Sequence, residues 1–74
     1  MDKKKLAKKI KLARIEKDLK QVELAELIES KQKSISCYEN GIMVPSIETL
    51  LKLAEVLEKP LSYFLDELKS GLPK

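Results

Sequence analysis

Apolar positions along this chain recur at intervals of three and four residues, and no stretch shows the period of two that a half-buried strand requires. Leu6, Ile10 and Ala13, with Ala7 beside them, predict a first helix from about Lys3 to Lys17, ending near Asp18, after which Leu19 turns inward. Leu24, Ala25 and Ile28 share one face of a second helix, from about Gln21 to Ile28. Ile35 and Tyr38 share one face of a third, from about Lys31 to Glu39. Gly41 suits a C-terminal cap in the left-handed conformation, and Pro45 keeps its predecessor out of a helix, so Ile42 to Pro45 reads as a loop. Ser46 is a good N-cap for a fourth helix with the stripe Ile47, Leu50, Leu51, Ala54 and Leu57. Pro60 opens a last helix carrying Leu61, Phe64, Leu65 and Leu68, stopped by Gly71 and Pro73. The expected fold is all-α: five short helices in one compact domain over residues 1–74.

The centre of the chain carries more than a helical period. From Gln21 to Gly41 the pattern is Q-x-x-L-A-x-x-I-x-x-x-x-x-x-I-x-x-Y-E-N-G, which lets two short helices pack across a turn near Glu29 and Ser30. Ala25 is the close-contact point, because a small residue there lets the third helix cross the second at a steep angle and hold its other face away from the protein body. This is the geometry of a helix-turn-helix, over about residues 21–40. Gln21-Val22-Glu23-Leu24-Ala25, then Ile35, Tyr38, Glu39-Asn40-Gly41 and Pro45-Ser46 resemble the lambda-repressor-like (Cro/cI-type) DNA-binding domains, and the resemblance runs from about Leu6 to Leu65. It implies a sequence-specific transcriptional regulator, of the repressor kind, that binds double-stranded DNA as a homodimer on a pseudo-palindromic operator.

With Ile35 and Tyr38 turned inward, the outward face of the third helix holds Gln32, Lys33, Ser36 and Cys37, which match the base-reading places of the resembled family. Gln pairs two ways with adenine N6 and N7, Lys donates to guanine O6 and N7, and Ser suits a base or a phosphate. Any amphipathic helix also has a polar outside; the neighbouring motif is what separates the two readings. Lys31 and Lys33, expected in the first turn, oppose the helix dipole at a cost of about 0.3–1 kcal/mol, a sign that an approaching phosphate would reverse. Lys20 stands at the expected N-cap of the second helix and cannot accept from its amides. Either a phosphate takes that place, drawn by Lys20 with Gln21 as a further donor, or Glu23 reaches back and caps the helix. The resemblance sets Arg14 opposite Glu39, making Arg14 a scaffold residue with phosphate in reach, and it adds a phosphate contact at Asn40, otherwise a turn residue.

The chain departs from the resembled pattern at Glu29, at Ser30, where an apolar residue is usual, and in the loop after Gly41. Glu29 stands where glycine is usual, at a cost on the order of 1 kcal/mol if its backbone is left-handed, with Ser30 available to cap the third helix. The loop after Gly41 reads Ile42-Met43-Val44 rather than basic, so it either tucks under the last helix or offers a protein contact. Tyr63 lies on a flank that the Leu61, Phe64, Leu68 stripe does not need. A dimer interface is therefore expected at Tyr63, Leu65, Ile42, Met43 and Val44, with the third helices about 34 Å apart. The loop also leaves open a protein-interaction module, such as an antitoxin or antirepressor component.

Charge sharpens the partner. The net +3 conceals nine Lys or Arg against three acids in residues 1–20, and six against nine in the remainder. A polyanion fits the basic end, although lysines on a helix also serve simply to solvate it. Cys37 is the one cysteine, which excludes an intrachain disulfide, indicates no structural metal and fits a reduced, cytoplasmic setting. Two readings stand for its thiol: a small side chain against a thymine methyl, or a redox-sensitive group. No apolar run reaches membrane-spanning length, and Met1 to Lys5 lacks the apolar segment of a signal peptide. With no histidine, no clustered metal ligands and no phosphate-cradling glycine loop, neither an enzyme nor a cofactor is expected.

Overall fold

The computed structural model describes residues 3–69, and its elements are five helices: α1 (Lys3–Glu16), α2 (Gln21–Leu27), α3 (Gln32–Glu39), α4 (Ile47–Val56) and α5 (Leu61–Lys69). Leu6, Ala7, Ile10 and Ala13 of α1 line one side and are buried, as the period requires. Leu24, Ala25, Ile28, Ile35, Leu50, Leu53, Leu57 and Phe64 join them in one core, with Leu19, Val44, Leu61, Tyr63 and Leu65 packed partly against it. Helix α1 packs on both α3 and α5, and so ties the helix-turn-helix to the rest of the fold.

Four helix ends repeat one device. After α1, α2, α3 and α4 the chain enters a left-handed conformation at Asp18 (φ 56°), Glu29 (57°), Gly41 (72°) and Glu58 (55°). In each case the next amide reaches back five residues: Leu19 to the Arg14 carbonyl, Ser30 to Ala25, Ile42 to Cys37 and Lys59 to Ala54. Only one of the four is glycine, the residue that takes this conformation without steric cost.

Boundaries shift by a residue in places. Helix α1 ends at Glu16, and α3 begins at Gln32 with Lys31 as its N-cap. Ser30 therefore does not cap α3; its amide closes α2 instead, donating to the Ala25 carbonyl at 2.7 Å. Ser46 caps α4 as expected, its Oγ accepting from the Thr49 amide at 3.2 Å. Pro60 lies just before α5 rather than inside it, and its carbonyl accepts from Tyr63 N at 3.0 Å. The expected stop at Gly71 and Pro73 lies outside the described residues, as does the side chain of Leu68.

The stripe of α4 is corrected more substantially. Its inward positions are Leu50, Leu53, Ala54 and Leu57, whereas Ile47 and Leu51 remain 55% and 50% exposed. An i, i+3, i+4, i+7 set already spans the width that α5 and the rest of the core cover, so the two apolar residues on its flank stay outside.

Candidate nucleic-acid interface

Helices α2 and α3 pack through Leu24, Ala25 and Ile28 on one side and Ile35 and Tyr38 on the other, all buried. The turn between them is closed by the left-handed Glu29, so Glu rather than Gly holds a strained position. This packing turns Gln32 and Lys33 fully outward and leaves Ser36 and Cys37 half-buried on the same side of α3.

A polar chain fixes the motif against α1. Arg14 Nε donates to Glu39 Oε2 at 2.7 Å and its Nη2 to Oε1 at 3.0 Å, while Nη1 donates to the Leu19 carbonyl at 2.7 Å. The Arg14 and Glu39 side chains are only 12% and 2% exposed. Gln21 Nε2 also donates to Glu39 Oε1, at 3.1 Å, and Gln21 Oε1 accepts from Gln32 Nε2 at 3.5 Å. One buried carboxylate thus gathers the end of α3, the last turn of α1 and the start of α2, and through Gln21 it meets the first residue of α3. The expected Arg14–Glu39 pairing is present. All three guanidinium nitrogens donate inside the protein, through three of the five N–H groups, and this ties Arg14 into the scaffold.

Lys20 is the N-cap of α2, in extended backbone conformation. Of the two readings of that position, Glu23 does reach back, its Oε1 accepting from the Lys20 amide at 2.7 Å. The lysine side chain is donor-only and caps nothing itself, so it remains directed to solvent at the start of the motif. Lys31 likewise makes no side-chain cap, and the first turn of α3 contains no acid. The charge pattern that opposes the α3 dipole thus survives the one-residue shift, with Lys31 at the cap and Lys33 in the first turn.

Asn40, exposed at the end of α3, donates from Nδ2 to Ser36 Oγ at 3.1 Å. The serine oxygen thus serves as an acceptor at the exposed end of α3. The amino end of α1 lies beside the same end of α3: a carbon added to Gly41 would sit 3.8 Å from both the Lys3 carbonyl oxygen and Lys4 Cγ. This adjacency brings the basic start of the chain to the side where the 42–44 loop offers no cation.

The expected dimer residues separate into two groups. The Tyr63 ring is not a spare flank. Lys9 Nζ and Lys59 Nζ lie 4.7 and 5.1 Å from its centroid, Phe64 meets it edge-on at 5.1 Å, and its carbonyl accepts from Lys9 Nζ at 2.9 Å. Leu65 is half-buried. Val44 tucks against the core, but Ile42 and Met43 are 65% and 47% exposed. Sequence reasoning missed the exposure of Ile47 and Leu51, because both fit the same helical stripe as the truly buried residues.

Matching residues 10–64, a helix-turn-helix family model covers most of the chain, a range that includes α2 and α3. The chain belongs to the lambda-repressor-like helix-turn-helix family. This is a family of DNA-binding transcription regulators. A protein of Pyrococcus horikoshii named as an HTH-type transcriptional regulatory protein is 38% identical over 65 residues, covering 88% of this chain and 21% of the relative. One of the same name from Aeropyrum pernix is 36% identical over 64 residues, covering 86% and 20%. This helix-turn-helix chain therefore spans about a fifth of the length of those relatives. Among the described residues no helix is long and apolar enough to cross a membrane.

Proposed function

We propose that this helix-turn-helix chain recognises a specific double-stranded DNA sequence, laying α3 in the major groove, and acts as a repressor in the form of a homodimer on a pseudo-palindromic operator. The observation that supports it best is the outward face of α3. Gln32 and Lys33 project from a helix whose first residue is coupled through Gln21 to the buried Arg14–Glu39 pair. A recognition element needs that combination of a free polar face and an immobile base. Gln32, Lys33, Ser36 and Cys37 are the base-contacting candidates. Lys20, Gln21, Lys31 and Asn40 are the phosphate-contacting ones, and Arg14 is left to the scaffold.

Selection of sites from random duplex DNA, followed by salt titration on the preferred one, tests the reading. Gln32→Ala should cost about 1–3 kcal/mol on that site and relax the preference at one base pair. Lys20→Ala should weaken all sequences alike and lower the salt slope by about 1 per subunit. Equal losses on specific and random DNA for both variants would remove the division into base-reading and backbone-positioning residues.

Cys37 provides an independent check on which face meets DNA. Alkylating its thiol with a bulky reagent in the folded protein should abolish operator binding by sterics, while Cys37→Ser binds within a few-fold of the parent. Full modification with unchanged affinity would mean that a different face of α3 is used.

A further inference from the structure

We infer that the exposed flank of α4 is the surface on which a second copy of this chain docks, antiparallel and across a two-fold axis that passes near Thr49 and Leu50. The inference rests on the homodimer proposed above and names its interface. Ile47 and Leu51, one helical turn apart, are about half exposed, and the loop leading into α4 brings Ile42 and Met43, also exposed. Beside this strip stand Glu48 and Lys52, again one turn apart, both exposed and without an ion pair or side-chain hydrogen bond among the described residues.

The spacing selects the occupant. When two α4 helices run antiparallel about that axis, Ile47 meets Leu51 of the other copy and Leu51 meets its Ile47. The same register sets Glu48 beside the other copy's Lys52 on both sides of the axis. An isologous interface must be self-complementary in this way, with opposite charges exchanged by the rotation. The other exposed apolar pair on a long helix, Leu12 and Ile15 of α1, fails this criterion. Its neighbours Lys8 and Lys11 have the same sign, so that side of the strip offers no pair of opposite charges for a two-fold rotation to exchange. The Tyr63 ring is already covered by Lys9 and Lys59, whereas Ile47 and Leu51 carry no such cover.

Charge reversal tests the register without DNA. Sedimentation of the full chain over roughly 10 µM to 1 mM, the range suited to a small interface, should show the parent in monomer–dimer exchange. Glu48→Lys alone and Lys52→Glu alone should each weaken self-association about tenfold or more, since two attractive pairs become repulsive together. An equimolar mixture of the two variants should associate like the parent, because in the mixed dimer both pairs are again opposite in sign. That recovery separates the proposal from a change in helix stability, which mixing cannot repair and which circular dichroism of each variant reads directly. A monomeric parent, single variants that dimerise normally, or a mixture that stays monomeric would each overturn the inference; a monomeric parent would leave the strip to some other partner. A dimer with this pattern and no DNA preference would instead sink the functional reading and leave the interface standing.

Discussion

Glu39→Ala should remove most of the folding stability of this domain. Its carboxylate is almost wholly buried and receives two bonds from Arg14 and one from Gln21. Deleting it strands a guanidinium in the interior, a change that typically costs about 3–5 kcal/mol. Domains of this length have roughly 4–11 kcal/mol in total. Urea denaturation followed by the helical circular dichroism signal should accordingly show a large drop in midpoint or no folded baseline. The paired replacement Arg14→Met with Glu39→Leu should regain stability to within about 1–2 kcal/mol of the parent, because a buried ion pair contributes little net energy over a well-packed apolar one. That variant should still lose base preference, since Gln21 then has no anchor and Gln32 no fixed neighbour. An unchanged midpoint for Glu39→Ala would mean that water screens the pair.

Stability should rise when the left-handed helix ends receive glycine. Asp18, Glu29 and Glu58 each hold a φ between 55° and 57°, a conformation that costs a side chain about 1–2 kcal/mol relative to glycine. Part of that is offset by the greater freedom of glycine in the unfolded chain, leaving a net gain of about 0.5–1 kcal/mol at each site. All three also place negative charge just past the carboxyl end of a helix, where the dipole disfavours it. The triple glycine variant should therefore melt about 6–24 °C higher, at about 4–8 °C per kcal/mol for a domain of this size. Glu29→Gly is the cleanest single test, because Glu58 is paired with Lys17 on the surface. It should raise the melting temperature while DNA affinity stays the same. A lower melting temperature for Glu29→Gly would show that its side chain contributes something the backbone argument omits.

Much of the architecture is encoded within short windows, and so the sequence alone determined it. Five helices follow from the spacing of Leu6, Ile10 and Ala13, of Leu24 and Ile28, and of Ile35 and Tyr38, from the cap at Ser46, and from Gly41 and Pro45. Each of these acts through neighbours within about a turn, by steric and hydrogen-bonding rules that need no distant partner. The outward set on α3 was legible for the same reason: once Ile35 and Tyr38 point inward, helical geometry leaves Gln32 and Lys33 outside. The left-handed Glu29 was also anticipated, from its place in the motif.

Tertiary structure alone decided how wide each apolar stripe is buried and what the long polar side chains meet. Ile47 and Leu51 obey the same period as Leu50 and Leu57, yet they remain outside because only as much of α4 is covered as its neighbours can reach. Tyr63 looked unoccupied along its own helix until the fold brought Lys9 from α1 and Lys59 from the preceding turn against its ring. Gln21 meets Glu39 across 18 residues and Gln32 across 11, joining two helix starts that no window of one helix contains. Periodicity reports which side of a helix is apolar; which partner covers that side, and where a flexible side chain ends, depends on the relative placement of whole helices in space.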